Sequence, residues 1–328
     1  MSKGSNAPVF IIGCPRSGTT VLYHMLLSSG NFAVYRTESN VYSVLRPRFG
    51  DFSSRKNREV LMDAWLRSKL FKVSGLDADD IRRKIMEECR SEGDFLKITM
   101  SEIAKKQGVR RWAESTPDHS LYIQQIKRQI PDALFIHIIR DGRDVALSYA
   151  KQGWSAPLPW DRGEDVAVAG LYWKWIVQQG RAKGLQLGGD YREIFFEDLV
   201  LKPVETLTGL GEFIQHDLDW EKIQRVGVGS VSRPNSSFEG DSQSAEFEPV
   251  SRWKKKMSAD RLAWLETLIG DYLEELGYER GTPEKLRAQS LPAKRMRLTY
   301  PLLCEAKLWL KNHTPLGRRT EISRMQIE

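Results

Sequence analysis

Short, wholly apolar runs alternate along this chain with longer segments whose apolar residues recur at helical spacing. The first run, Val9 to Ile12, ends at Gly13 and a polar turn, Cys14-Pro15-Arg16-Ser17-Gly18-Thr19-Thr20. Val21, Leu22, Met25 and Leu26 then recur every three or four positions until Ser29-Gly30. This order predicts a buried strand, a tight loop and a helix. Ala133 to Ile139 is the strongest strand signal, near-continuously apolar as in parallel strands covered on both faces. It runs into Arg140-Asp141-Gly142-Arg143-Asp144 and a helix carrying Val145, Ala146 and Tyr149. His137, in mid-strand, is expected in the core.

Asn31 to Tyr35, Val109 to Glu114 and Tyr191 to Phe196 read as further strands. Residues 55–71 read as a helix with Val60, Leu61, Ala64 and Trp65 on its buried side. Asp77 is expected to cap a helix with Ile81, Ile85 and Cys89 inward, and Asp94 one that ends at Gly108. Further helices are expected with Ile123, Ile126 and Ile130 as a stripe, from about Glu164 to Arg181, from Pro203 to Ile214, and after a Ser258 cap. Strands alternating with helices predict a three-layer α/β/α domain with a central, mainly parallel sheet. Ligands in that architecture bind beyond the carboxyl ends of the strands. The turns at 13–20 and 140–144 both lie at such ends, so both are expected to face one ligand.

The first turn suggests what the ligand is. A glycine-rich loop opening a helix points backbone N–H groups at one spot, where the helix dipole also favours negative charge. The turn is of the P-loop, nucleotide-binding type but departs from the Walker A pattern. Gly13 and Gly18 have the right spacing, yet Thr19 stands where that motif has lysine, and the cation is Arg16 inside the loop. A P-loop kinase would lack its usual lysine contact to the β/γ-phosphates. The loop suits a nucleotide without a γ-phosphate, and no Asp/Glu cluster has the look of a metal site.

Composition adds bounds. Hydrophobic residues make up 41% of 328 positions, with ten Trp, enough for a large core. No run reaches the roughly 18 apolar residues of a membrane span, and the N-terminus lacks a signal-peptide pattern. Cys14, Cys89 and Cys304 are far apart and lack metal spacing, so they read as reduced thiols, and the chain as cytoplasmic. Cys14 is expected to be a small filler. The net charge of +7 is uneven: residues 281–328 hold ten Lys/Arg against four Asp/Glu. The expected division is a domain over 1–280 and a basic, helical tail over 281–328, with Leu291, Met296, Leu298, Leu302, Leu303, Leu308 and Trp309 among its basic residues. Such a tail suits either packing on the domain or a peripheral contact with an acidic or membrane surface. The body is near neutral, and no basic-aromatic stripe points to nucleic acid. The Trp-, Pro- and Gly-rich stretch 153–163, with Trp154 and Trp160, reads as a lip for an acceptor, and the Gly/Ser/Pro-rich 227–251 as a long functional loop.

Taken together, the motifs resemble sulfotransferases that use 3′-phosphoadenosine 5′-phosphosulfate (PAPS). CPRSGTT (14–20) is similar to the family's 5′-phosphosulfate loop, and IRDGRDVALSY (139–149) to its 3′-phosphate motif. WAESTPDH (112–119), FEDLVLKP (196–203) and the stretch from Trp253 to Tyr278 add to a resemblance over residues 8–280. It implies that Arg16, Ser17, Gly18, Thr19 and Thr20 hold the 5′ end of the donor and that Arg140 and Ser148 hold the 3′-phosphate. It implies no metal, and transfer to a hydroxyl or amine of a carbohydrate, lipid or small molecule. Glu38 resembles the glutamate that serves as base after the P-loop helix; otherwise it is a surface residue capping the next helix. His119 and Glu114 are alternative bases. Ser115 stands where many members have lysine, so Lys151 or a residue of 227–256 is expected to take that lysine's place. Arg233, Trp253 and Lys254 are candidates for the adenine, with a core role for Trp253 as the alternative. The rival readings are a P-loop kinase and a non-enzymatic nucleotide- or anion-binding protein.

Overall fold

β1 (Val9–Ile12) and β4 (Leu134–Ile139) lie side by side in the middle of a five-stranded sheet in the computed structural model. The structure describes residues 6–153, 157–161, 165–226, 249–283 and 290–319. β2 (Phe32–Ala33), β3 (Arg111–Glu114) and β5 (Tyr191–Phe195) complete the sheet in the order β2-β3-β1-β4-β5, every pair parallel. The register places Ile12 opposite His137. The turn after β1 and the turn after β4 therefore emerge next to each other. From β1 the chain crosses toward β2, and from β4 toward β5. Connections leaving neighbouring strands in opposite directions open a crevice at their carboxyl ends.

The helices in chain order are α1 (Thr19–Ser29), α2 (Arg46–Phe49), α3 (Arg55–Trp65), α4 (Lys69–Ser74), α5 (Ala78–Glu88), α6 (Glu92–Lys106) and α7 (Ile123–Gln129). There follow α8 (Gly142–Lys151), α9 (Val166–Gly184), α10 (Phe196–Leu201), α11 (Pro203–Ile214) and α12 (Trp220–Val226). The last are α13 (Trp253–Lys256), α14 (Ala259–Glu275) and α15 (Leu291–His313). Alternation along β1 divides the core: Phe10 and Ile12 pack with residues of α3, α5, α6 and α7, while Val9 and Ile11 pack with α1, α11 and α12. A third cluster joins Ile139 to α8, α9 and α14, and takes in Ala293, Tyr300 and Cys304 of α15. The sheet is covered on both faces, as its apolar strands require, in the three-layer α/β/α arrangement of P-loop folds.

Three local expectations are revised. The helix expected over 55–71 breaks after Trp65, because the Ser68 side chain caps a new helix at Lys69. Val60 lies on the outward side of α3, 53% exposed. Ser91, not Asp94, caps α6; Asp94 sits in its first turn and accepts from the Arg90 N–H. Ser258 and Asp77 cap their helices as the sequence predicts. His137 is fully buried, with Nδ1 2.6 Å from the Tyr191 hydroxyl. Cys14, Cys89 and Cys304 are free and buried, and burial pushes the Cys14 thiol well up, which suits a filler. Among the described residues no helix is long and apolar enough to cross a membrane. Trp154, Arg233 and most of the 227–251 loop lie outside the described residues.

Candidate active site

The loop after β1 is shaped by close packing. A Cβ on Gly13 would come within 2.5 Å of the Ile138 carbonyl, and one on Gly18 would overlap the Phe196 ring. Gly18 takes φ 98° and Arg16 φ 75°, both left-handed; glycine does so freely, arginine at a cost. Ser120 pins the start of the loop, since its hydroxyl accepts from the Gly13 N–H at 3.0 Å. Gly18 is the N-cap of α1, no side chain caps the helix, and its first turn carries no acid. The first intrahelical bond is Leu22 N–H to the Gly18 carbonyl. The N–H groups of Thr19, Thr20 and Val21 precede it and have no carbonyl in their own helix. The loop thus leaves a positive, donor-rich end facing outward.

The turn after β4 meets this end. Arg16 Nε donates to Ser148 Oγ at 2.8 Å, and Arg140 Nη1 donates to the Arg16 carbonyl at 3.0 Å. Arg140 Nη2 donates to the Pro249 carbonyl at 2.6 Å, and its guanidinium lies 4.5 Å from the Phe196 ring centroid. Its Nε is buried with no hydrogen-bond partner among the described residues. Burial, and then the charge of Arg140, lowers the pKa of Arg16; burial is the largest cause for Arg140 too, with Asp144 opposing it. Two cations held this close and partly out of water favour an anion between them.

A cleft of about 230 Å³ opens over the two turns. It is lined by Arg16, Gly18, Thr19, Thr20, Arg140 and Ser148 from the two motifs, and by Val21, Asp144, Leu147, Lys151, Gln152, Phe196, Pro249, Arg252 and Lys256. Five cations face one carboxylate. That carboxylate, Asp144, is raised in pKa by burial, against which the Arg140 charge works. Lys151 and, from the 227–256 stretch offered as the alternative stand-in for the missing lysine, Arg252 and Lys256 all line the cleft; the i, i+4 spacing of the last two in Arg252-Trp253-Lys254-Lys255-Lys256 puts them on one helical face.

Other residues of the second turn hold it in place. Asp141 caps α8 and takes a two-pronged bond from Arg143, Nε at 3.0 Å and Nη2 at 2.8 Å. Arg143 Nη1 reaches Glu266 at 2.6 Å. Trp253 is drawn into this network: its indole N–H donates to Asp141 at 3.1 Å, and Arg143 stacks on its ring at 3.8 Å. Trp253 is therefore a buried anchor behind the cleft, which replaces its expected place at the adenine. Lys254 is exposed, 5.6 Å from the Trp253 ring and outside the cleft lining, a second departure from expectation. Ser17 is fully buried under the loop, its hydroxyl without a partner among the described residues, so it is not presented to the cleft either.

The candidate bases lie at the end of β3. Glu114 is buried and accepts from the Ser39 N–H at 3.2 Å, the Ser39 hydroxyl at 2.7 Å, the Thr116 N–H at 3.0 Å, the Thr116 hydroxyl, and His119 Nδ1 at 2.8 Å. Burial alone would raise its pKa; the His119 charge and hydrogen bonds from the His119, Thr116 and Ser39 side chains outweigh it and hold the carboxyl down to about 2. Glu114 is thus a fixed carboxylate clamp. His119 is fully enclosed between the Phe10 and Tyr42 rings. Its Nδ1 faces Glu114 and its Nε2 is buried without a hydrogen-bond partner among the described residues, so neither ring nitrogen opens onto the cleft lining, and the ring is placed to position Glu114. The clamp fixes Ser39 and Asn40, whose N–H reaches Thr116 Oγ1 at 3.3 Å. Glu38 is the residue just before, half-buried and outside the cleft lining.

Fold and loop define a three-layer α/β protein with a parallel central sheet, whose crevice at the strand ends carries excess positive charge. A family model described as "Sulfotransferase family" matches residues 8–222, and the chain belongs to that family. The family assignment displaces the P-loop kinase reading. Among solved structures, the chain is similar to the sulfotransferase domain from the curacin biosynthetic pathway, with a TM-score of 0.55 and 16% identity over 85% of this chain and 99% of that one. It is also similar to the sulfotransferase domain from the Synechococcus PCC 7002 olefin synthase, with a TM-score of 0.51 and 17% identity over 85% of this chain and 98% of that one. At these identities the likeness is one of fold. A comparison with curated proteins finds no significant match.

Proposed function

We propose that the cleft binds PAPS and that the protein transfers its sulfuryl group to a hydroxyl or amine of an acceptor. The observation that carries this is the joining of the two motifs: Arg16 of the first turn donates to Ser148 of the second at 2.8 Å, and Arg140 stands beside both. Two groups of cationic donors at neighbouring strand ends suit a ligand with two separate anionic groups, as PAPS has at its 3′ and 5′ positions.

The donor supplies a sulfuryl group bound to a phosphate oxygen. In the transfer that S–O bond breaks, its electron pair stays on the 5′-phosphate, and the acceptor oxygen or nitrogen bonds to sulfur. Arg16 and the N–H groups at the start of α1 are aimed where that leaving charge develops, the arrangement that lowers such barriers most. Arg140 and Ser148 hold the 3′-phosphate, which does not react. Lys151, Arg252 and Lys256 stand in for the cation missing at Ser115. Glu38 takes the acceptor's proton, kept in place by the Glu114 clamp on Ser39. His119 serves the same end indirectly by orienting Glu114.

Calorimetric titration tests the reading. 3′-Phosphoadenosine 5′-phosphate should bind without added metal and far more tightly than ADP, which lacks the 3′-phosphate. Equal affinity for the two would overturn the assignment of Arg140 and Ser148, and with it the donor.

A further inference from the structure

Helix α15 has two apolar faces. Ala293, Tyr300 and Cys304 are buried against α9 and α14. Leu291, Leu298, Leu302 and Trp309 form a second stripe that is 75%, 62%, 66% and 57% exposed. Their spacings of seven, four and seven residues put all four within about 40° on the helix, on the side away from the domain. A 23-residue helix docked by one face does not need a second apolar stripe in order to fold.

Charge indicates what covers it. Residues 290–319 contain seven Lys/Arg and one acid, Glu305. Lys294 and Arg295 flank the stripe and are exposed, and Arg318 and Arg319 are exposed beyond its end. A second copy docked through this face would set two strongly positive surfaces against each other. An anionic bilayer matches both features: basic residues are drawn to its headgroups, while Leu and Trp enter the boundary of the acyl region.

We propose that α15 is a peripheral membrane anchor that lies flat on anionic lipid, with Leu291, Leu298, Leu302 and Trp309 in the interface. The helix is held to the catalytic body by its other face. Tyr300 hydrogen-bonds Asp161, and Lys307 bonds the Pro157 carbonyl. The body is therefore held at the surface together with the helix. The inference rests on the exposed stripe and its charge, and is independent of the donor assignment.

The test is co-sedimentation of the full-length protein with vesicles of phosphatidylcholine alone or mixed with phosphatidylserine. Binding should require phosphatidylserine and fall steeply with salt. Replacing Lys294→Ala and Arg295→Ala together should weaken it roughly thirtyfold. Leu298→Ser, Leu302→Ser and Trp309→Ser combined should abolish it while leaving the melting temperature unchanged, since all three side chains are exposed. Absence of wild-type binding, or undiminished binding of the combined serine variant, would overturn the anchor. So would a dimer in solution that the serine variant dissociates, or binding that appears only after removal of residues 320–328; these would assign the stripe to a second copy or to the chain's own end.

Discussion

Arg16 and Ser148 are 132 positions apart, yet the guanidinium of one donates directly to the hydroxyl of the other at 2.8 Å. The link exists because β1 and β4 are neighbours in register, so the turns that follow them emerge side by side. It makes the two anion-binding motifs one unit. A double-mutant cycle should show this. Arg16→Ala and Ser148→Ala should each weaken 3′-phosphoadenosine 5′-phosphate binding, and the double variant should lose about 0.5–3 kcal/mol less than the sum. Strict additivity by calorimetry would mean that the two motifs act separately.

Arg140 should matter for binding more than for turnover. Its partners are the Arg16 and Pro249 carbonyls and the Phe196 face, all at the cleft wall. Losing a charged hydrogen bond to a phosphate costs about 1.5–3 kcal/mol. Arg140→Ala should therefore weaken 3′-phosphoadenosine 5′-phosphate by roughly 10- to 150-fold, leave ADP affinity nearly unchanged, and spare the rate at saturating donor. An equal loss for ADP would show that the residue only shapes the loop.

Much of this site can be read from the sequence because it depends on local pattern. A strand, a glycine turn and a helix start are written in consecutive residues, and both motifs follow apolar runs that could only be buried strands. The roles of Trp253 and His119 depend on long-range packing instead. Nothing near Trp253 in sequence says that Arg143, 110 residues earlier, will stack on its ring, or that Asp141 will take its N–H. His119 has the residue type of a base, and its enclosure by the Phe10 and Tyr42 rings, away from the cleft, cannot be read from its neighbours in sequence. Ser91 took the cap expected of Asp94 because both have capping side chains three residues apart, and the backbone turns at the earlier one.

Two buried groups should set the acid limb of stability. Burial holds the His137 pKa down, from 6.5 to about 3, and its Nε2 has no hydrogen-bond partner among the described residues. The unfolded chain therefore binds a proton there before the folded one does. Stability from this histidine is complete above pH 6.5 and is lost as pH falls through that value toward 3. Glu114 has the same sign lower down: its stabilisation is present above its ordinary value of 4.5 and is lost as pH falls from there to about 2. Urea melts should show stability declining from about pH 6.5 and more steeply below about 4.5. In His137→Leu the first decline should shrink to what His24 and His216, also held down by burial, contribute, at a cost of about 1 kcal/mol at pH 8 for the lost bond to Tyr191. An unchanged slope between pH 6.5 and 4.5 would remove His137 as its cause.

Glu38 separates chemistry from positioning. It precedes Ser39, which Glu114 holds by two bonds, so its backbone is anchored while its side chain stays half-exposed. Glu38→Gln preserves shape and removes the proton acceptor. Loss of a general base costs on the order of 10²–10⁴ in rate, so turnover should fall by that range with donor affinity little changed, and the base-dependent limb of the pH–rate profile should disappear. His119→Gln should behave differently. It removes the imidazole packed between Phe10 and Tyr42 beside Glu114, which should lower the melting temperature and reduce turnover modestly while the pH–rate limb persists. The comparison discriminates because only the true base can remove that limb. If Glu38→Gln keeps near-normal turnover while His119→Gln abolishes the limb, the proton is taken at the β3 clamp, and the half-buried glutamate is only a surface residue next to it.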